Sequence, residues 1–242
     1  MKFSDPTTSE APADAAHRDA LASIGMFAAA MAHEIRNPLT AIKARLFTLE
    51  RSLDSDSPAR EDAMLIGQEI ARLERTVREF LQYARPAEPS IEAVEPAALF
   101  ASVVALLEPQ ISASKIRIEV QARDSAPVAA DAHQLRQVLI NLVQNAAESI
   151  GDAGTITLRA RRGEGPANDH PTVVLEVADT GKGIPAELHP HLFDPFFTDK
   201  PSGTGLGLPT AARVIQRHGG TISFTSKVDH GTTFCVTLPA TK

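Results

Sequence analysis

Apolar residues recur along the first third of the chain at Ile24, Ala28, Met31, Ile35, Leu39, Ile42, Leu46, Leu49 and Leu53, in steps of 4, 3, 4, 4, 3, 4, 3 and 4. Steps of three and four keep side chains on one helical face, and this series is a heptad seam with one extra residue. The irregular step falls at Pro38. Proline has no N–H to give the carbonyl of Glu34, so a helix here must bend or lose a hydrogen bond. Asp54-Ser-Asp-Ser-Pro58 ends the pattern, and a second seam follows at Ala63, Ile66, Ile70, Leu73, Val77, Phe80 and Ala84. A short connector makes the two helices antiparallel neighbours. Both seams run the full length of their helices, so we expect a homodimer that closes a four-helix bundle.

Beyond Pro86-Ala-Glu-Pro89 the periodicity changes to mixed α/β. Helices are expected over 97–112, 132–150 and 209–218, and strands over 116–121, 155–160, 173–178, 221–226 and 232–238. Asp131 and Gln134 have the spacing of a capping box at the start of the helix 132–150. The resulting fold class is α+β: a helical hairpin, then an α/β sandwich with helices covering a sheet. The expected boundaries are a lead over 1–17, a helical domain over 18–85, a linker over 86–94 and an α/β domain over 95–242.

The 242 residues, 43% of them hydrophobic, suffice for two small domains. A net charge of −6, without a basic block, speaks against a nucleic-acid footprint. One tyrosine and no tryptophan leave little for base stacking. The longest apolar run, 24–32, is far short of the about 20 residues a membrane helix needs. The polar N-terminus is no secretory signal. The single cysteine, Cys235, excludes an internal disulfide. A cytoplasmic location is expected, with no membrane segment.

Candidate chemistry begins at Ala-His-Glu-Ile-Arg-Asn-Pro-Leu, residues 32–39. His33 lies outside the apolar stripe, on a helix weakened one turn later, with Glu34 beside it and Asn37 one turn on. Such a ring is presented to something that must reach it. In the second half Asn141 and Asn145, four apart, place two amides on one helix face. Their bland reading is polar packing, and the sharper one is an amide oxygen on Mg2+ beside a nucleotide phosphate. Asp179-Thr-Gly-Lys-Gly183 follows a strand, and Gly203-Thr-Gly-Leu-Gly-Leu208 opens a helix whose N-terminus suits an anion. His189 and His191 around a proline read as a solvated turn, His218 as surface or capping, and Cys235 as core packing. Glu148 and Lys182 stand near the motifs without a definite role.

Taken in order, His33–Leu39, Asn141–Ala146, Asp179–Gly183, Phe193-Asp-Pro-Phe-Phe-Thr-Asp-Lys200 and Gly203–Leu208 resemble the motifs of bacterial sensor histidine kinases over roughly residues 20–240. The soluble, nitrogen-regulation type is the most similar, through the Phe-Phe-Thr-x-Lys run. The resemblance implies a dimerisation and phosphotransfer hairpin with His33 as phosphoacceptor, joined to an ATP-binding domain of the Bergerat fold. Asp179 would accept from the adenine amine, and Gly181 and Gly183 would let the base approach. Asn145 would ligate Mg2+, with Asn141 near the phosphates. Lys200, Ser202, Gly203, Thr204, Gly205, Leu206 and Gly207 would form a lid over the triphosphate.

The expected reaction carries the γ-phosphoryl group of ATP to a ring nitrogen of His33, with Glu34 taking the proton. It continues to an aspartate of a response regulator. By the same resemblance, Asn37 would position a water that dephosphorylates the regulator. Fewer than 20 residues precede the first helix, too few for a folded input domain, so the expectation is either a trimmed catalytic core or a signal delivered by an upstream sensor or regulatory protein. The alternatives are a Bergerat-fold ATPase without phosphotransfer, or a scaffold that binds nucleotide without turnover.

Overall fold

The computed structural model describes residues 34–54, 57–84, 87–111, 114–122, 125–163, 171–200 and 203–241. The chain divides into two compact units between Ala87 and Glu88.

In the first unit, helix α1 covers 34–52 and α2 runs Pro58–Ala84. The α1 helix continues through Pro38, so the missing amide costs the Glu34 carbonyl its partner without ending the helix. Lys43 pairs with Glu74 at 2.9 Å, while Leu46 lies against Gly67 and Arg60 donates to the carbonyls of Glu50 and Leu53. These descending pairs make the helices antiparallel. Leu39, Leu46, Ala63 and Ile70 are buried between them, with Leu53 packed alongside. The remaining half of each seam, Ile35, Ile42 and Leu49 with Ile66 and Leu73, is exposed. A two-helix hairpin buries only the sector that faces its partner, and the seam is wider than that sector.

The second unit contains β1 (Glu92–Val94), α3 (Pro96–Ile111), β2 (Lys115–Gln121), β3 (Val128–Ala130), α4 (Ala132–Ile150), β4 (Ala153–Gly163) and β5 (Thr172–Asp179). After a 3-10 turn over Ala186–His191 come α5 (Gly207–Arg217), β6 (Thr221–Lys227) and β7 (Gly231–Pro239). The main sheet has the order β2-β4-β5-β7-β6, with β2 and β4 parallel and the other pairs antiparallel. β1 lies in the stretch read from sequence as linker, yet it pairs antiparallel with β3.

The strands alternate as a sheet with one covered face requires. Ile156, Leu158 and Ala160 are buried, while Arg159 and Arg161, which follow Leu158 and Ala160, are exposed. Arg159 donates to Gln121 and Arg161 to Glu176, both at 2.8 Å, on the polar face. Helices α3, α4 and α5 pack on the other face, around a core that includes Phe100, Leu107, Leu135, Leu139, Leu142, Leu175 and Ile215.

The start of α4 corrects the expected capping box. The Asp131 side chain does accept the Gln134 N–H at 3.0 Å. The reciprocal bond to the Asp131 N–H comes from His218 Nε2 at 3.0 Å, while the Gln134 side chain turns to the Asp131 carboxylate instead. His218 is therefore no surface residue; it is 5% exposed.

Candidate functional site

Helix α4 supplies one wall of the site. Asn141, Asn145, Glu148 and Ser149 follow one another at steps of four, three and one along the same side of the helix. Burial of Leu135, Leu139, Leu142, Val143 and Ala146 against the sheet leaves this polar stripe facing the loops that surround it.

At the C-terminal end of the stripe, β5 delivers Asp179, which is 8% exposed. Its Oδ1 accepts the Gly181 N–H at 2.8 Å and the Thr232 N–H at 3.3 Å. Burial pushes its carboxyl above the usual aspartate range, against the lowering effect of those N–H groups and the Ser149 hydroxyl. The loop that follows is tied on every side. Lys182 donates its N–H to the Ser149 carbonyl, Asp229 donates its N–H to the Lys182 carbonyl, and Ile184 N–H reaches Ser226 Oγ.

Both glycines also have a reason within the protein's own packing. A Cβ at Gly181 would lie 2.6 Å from the backbone carbon of Ser149, and one at Gly183 would lie 2.2 Å from the Lys227 carbonyl oxygen. Gly183 also has a φ of +67°. Both glycines let the loop press against α4 and against the turn between β6 and β7.

In the middle of the stripe, Lys200 reaches α4. Its ammonium donates to Asn145 Oδ1 at 3.2 Å and to the Glu148 carboxylate. Neighbouring Asp199 pairs with Lys182 at 3.3 Å, so this segment is fastened both to α4 and to the Asp179 loop. The oxygens of Asn145 and Glu148 already hold a cation, which is the donor chemistry Mg2+ takes.

At the N-terminal end stands the start of α5. A Cβ at Gly207 would sit 2.4 Å from Asn141 Oδ1, so glycine is what lets the two helices come this close. Among the described residues the N-cap residue of α5, Leu206, makes no side-chain capping bond, and the first turn of a helix points N–H groups outward. Asn141 Nδ2 is buried without a hydrogen-bond partner among the described residues. Gly205 has a φ of +68°, and its carbonyl accepts the N–H of Phe196, which itself has a φ of +67°. The segment carrying Lys200 and the glycine run are thereby closed into one loop.

The structure thus brings together Asn141, Asn145, Asp179, Gly181, Gly183, Lys200, Gly203, Thr204, Gly205, Leu206 and Gly207 in the second unit. Glu34 and Asn37 are exposed on α1 in the first unit. His33 and Ser202 lie outside the described residues. Reading the sequence alone missed Ser149, Thr232 and Asp199. Ser149 was within reach of that reading, since it stands four residues after Asn145 on the same face. Thr232 acts through its backbone N–H, which leaves no trace in residue type. His189 bonds the Ile184 carbonyl and meets Phe224 edge-on, while His191 pairs with Asp194.

A two-layer sandwich with a buried aspartate ending a central strand, an amide-lined helix and a glycine loop opening α5 defines a class of ATP-binding domain. Residues 130–242 match the model of the histidine kinase-, DNA gyrase B- and HSP90-like ATPases, and residues 23–89 match the His Kinase A (phospho-acceptor) domain. The chain belongs to the bacterial sensor histidine kinases, of which it carries the catalytic core. It is 35% identical to the sensor histidine kinase ZraS of Escherichia coli (strain K12) over 224 residues, covering 92% of this chain and 47% of ZraS. It therefore spans about half the length of such curated relatives. The catalytic domain of histidine kinase ThkA superposes with a TM-score of 0.55 at 33% identity, over 62% of this chain and 96% of that domain. Histidine kinase ThkA in complex with the response regulator TrrA matches at 32% identity and a TM-score of 0.65, over 93% of this chain and 64% of ThkA.

Proposed function

We propose that this chain is an ATP-dependent autokinase that phosphorylates its own His33 and passes the phosphoryl group to an aspartate of a response regulator. The observation that carries the reading is the polar stripe of α4, which links the buried carboxylate of Asp179 to the Lys200 ammonium and the start of α5. Those are the two ends of a nucleotide.

Asp179 accepts from the exocyclic amine of adenine, its own position held by the Gly181 and Thr232 N–H groups. The first-turn N–H groups of α5 and the Lys200 ammonium neutralise phosphate charge. Asn145, with its Oδ1 already on a cation, is the residue that would hold Mg2+. That ion supplies charge neutralisation of the phosphates when bound. In the transfer a ring nitrogen of His33 forms the new bond to the γ-phosphorus and the bond to the bridging oxygen of ADP breaks. Glu34 takes the proton from the other nitrogen. Asn37, one turn from His33, orients a water for regulator dephosphorylation.

The Bergerat-fold ATPases that the second unit resembles typically carry a glutamate base at the position of Asn141, and a carboxamide cannot take a proton from water. Transfer to a histidine is favoured over simple hydrolysis for that reason.

A homodimer is part of the reading, supported by the exposed half-seams of α1 and α2. A response-regulator partner is supported by the ThkA complex. No helix among the described residues is long and apolar enough to cross a membrane, and the proposed location is the cytoplasm. The proposed divisions are a phosphotransfer domain over 18–85 and an ATP-binding domain from about Glu88 onward, since β1 in the expected linker pairs with β3.

Incubation with γ-labelled ATP and magnesium tests this function. Acid-labile, alkali-stable label on the wild-type chain that disappears in His33→Gln is the expected result. Equal labelling of both proteins overturns it.

A further inference from the structure

Lys200 and Glu148 are both partly open to solvent, with 30% and 59% of their side chains exposed. Even so, Lys200 does not reach into water. Its backbone N–H is received by Thr198 Oγ1, and the next residue back, Asp199, is paired with Lys182. The ammonium is thus brought to α4 on a short tether, where it donates both to Asn145 Oδ1 and to the Glu148 carboxylate. Asn145 alone offers a neutral amide. Glu148 adds the negative charge that makes this a cation position, and it lies one turn beyond Asn145 on the same side.

We infer that Glu148 maintains a position for one cation at a time, held by the Lys200 ammonium until nucleotide-borne Mg2+ takes the shared oxygens and releases the lysine towards the phosphates. The inference rests on the ATP reading above. Glu148 is a positioning residue here, and its effect is on which form of nucleotide the site accepts. A nucleotide arriving without metal meets the uncompensated charge of Glu148 if Lys200 leaves it, and finds Lys200 engaged if it does not. A nucleotide that brings a divalent cation replaces one counterion of Glu148 by a stronger one and recovers Lys200. Preference for the metal complex is thereby written into an ion pair on the protein.

The test is equilibrium binding of a fluorescent, non-hydrolysable ATP analogue to the full chain, in magnesium and in EDTA, for the wild type, Glu148→Gln and Lys200→Met. In Glu148→Gln, metal-free binding tightens about three- to fivefold and the enhancement by magnesium shrinks by at least as much, the scale of one partly exposed ion pair. In Lys200→Met, affinity falls in both conditions while the magnesium enhancement is kept or enlarged. A Glu148 that served only the helix would lower both affinities together, and an unchanged ratio overturns the inference. If the wild type binds the analogue in neither condition, the ATP reading itself fails, a result distinct from an unchanged ratio.

Discussion

The imidazole of His218, buried at the end of α5, accepts the backbone N–H of Asp131 through Nε2 at 3.0 Å. Its other nitrogen lies 2.8 Å from the Val214 carbonyl, so Nδ1 carries the proton in the arrangement that satisfies both bonds. One side chain therefore joins the C-terminus of α5 to the N-terminus of α4, the two helices that line the proposed phosphate end of the site.

Replacing His218 with Phe keeps most of the volume but orphans a buried N–H at the α4 N-cap. A loss of about 1–3 kcal/mol is expected, the cost of an unsatisfied buried donor. Urea unfolding of the second unit measures it, and an unchanged midpoint would contradict the role given to this bond.

Asp131→Ala removes the cap of α4 and the acceptor for the Ser90 N–H. The expected cost is about 0.5–2 kcal/mol at neutral pH. Burial works to raise the Asp131 carboxyl, but the N–H groups of Gln134, Ser90 and His133 outweigh it, and its pKa lies below the ordinary value of 3.8. A lowered folded-state pKa gives stability that is full above the ordinary value and lost as pH falls through the lowered one. The difference in Tm between variant and wild type should therefore narrow on acidification below about 4.

Asp179 carries the opposite sign. Its raised pKa means that ionisation costs the folded state stability as pH climbs above the ordinary value of 3.8. Asp179→Asn keeps an oxygen for the Gly181 and Thr232 N–H groups and removes the buried charge. Its Tm at pH 7 should equal or exceed that of the wild type, with the gap closing towards acid. Nucleotide affinity should fall about tenfold or more, because an amide NH2 would then face the adenine amine. Calorimetry and analogue binding on the same samples separate the two effects.

Gly205→Ala places a Cβ 2.4 Å from the backbone carbon of Phe196 in a residue with φ +68°. The loop that joins the Lys200 segment to α5 must open, at a cost of about 1–3 kcal/mol in strain. Analogue binding should weaken by at least about tenfold. The sheet and its core do not involve this turn, so far-UV circular dichroism should be unchanged.

The exposed half-seams predict self-association. Ile42→Asp combined with Leu73→Asp should convert a dimer to monomers in light scattering, while Leu39, Leu46, Ala63 and Ile70 keep the hairpin helical. A double variant that remains dimeric would place the interface elsewhere.

Much of this was readable in advance where the signal is periodic or compositional. The seam of α1 and α2, the β6–β7 hairpin and the polar stripe of α4 each repeat at the period of their own element, and that period is local. The pairing of β1 with β3 was hidden, because three residues are too few to show alternation. The capping box was half legible: Asp131 and Gln134 are neighbours in sequence, but the remaining acceptor is 87 positions away, in His218. Histidine residue type alone does not distinguish a surface ring from one that closes a helix cap.

Local chemistry along the chain was enough to specify the helices, five of the seven strands among the described residues, and the candidate residues for nucleotide and phosphoryl chemistry, since hydrophobic period, proline and glycine act over a few bonds. Which oxygens share a cation, why Gly181 and Gly183 must lack side chains, and how Asp179 comes to hold its proton more tightly were settled by folding. Those properties depend on groups far apart in the chain being forced together by the burial of a common core, and no local pattern carries that information.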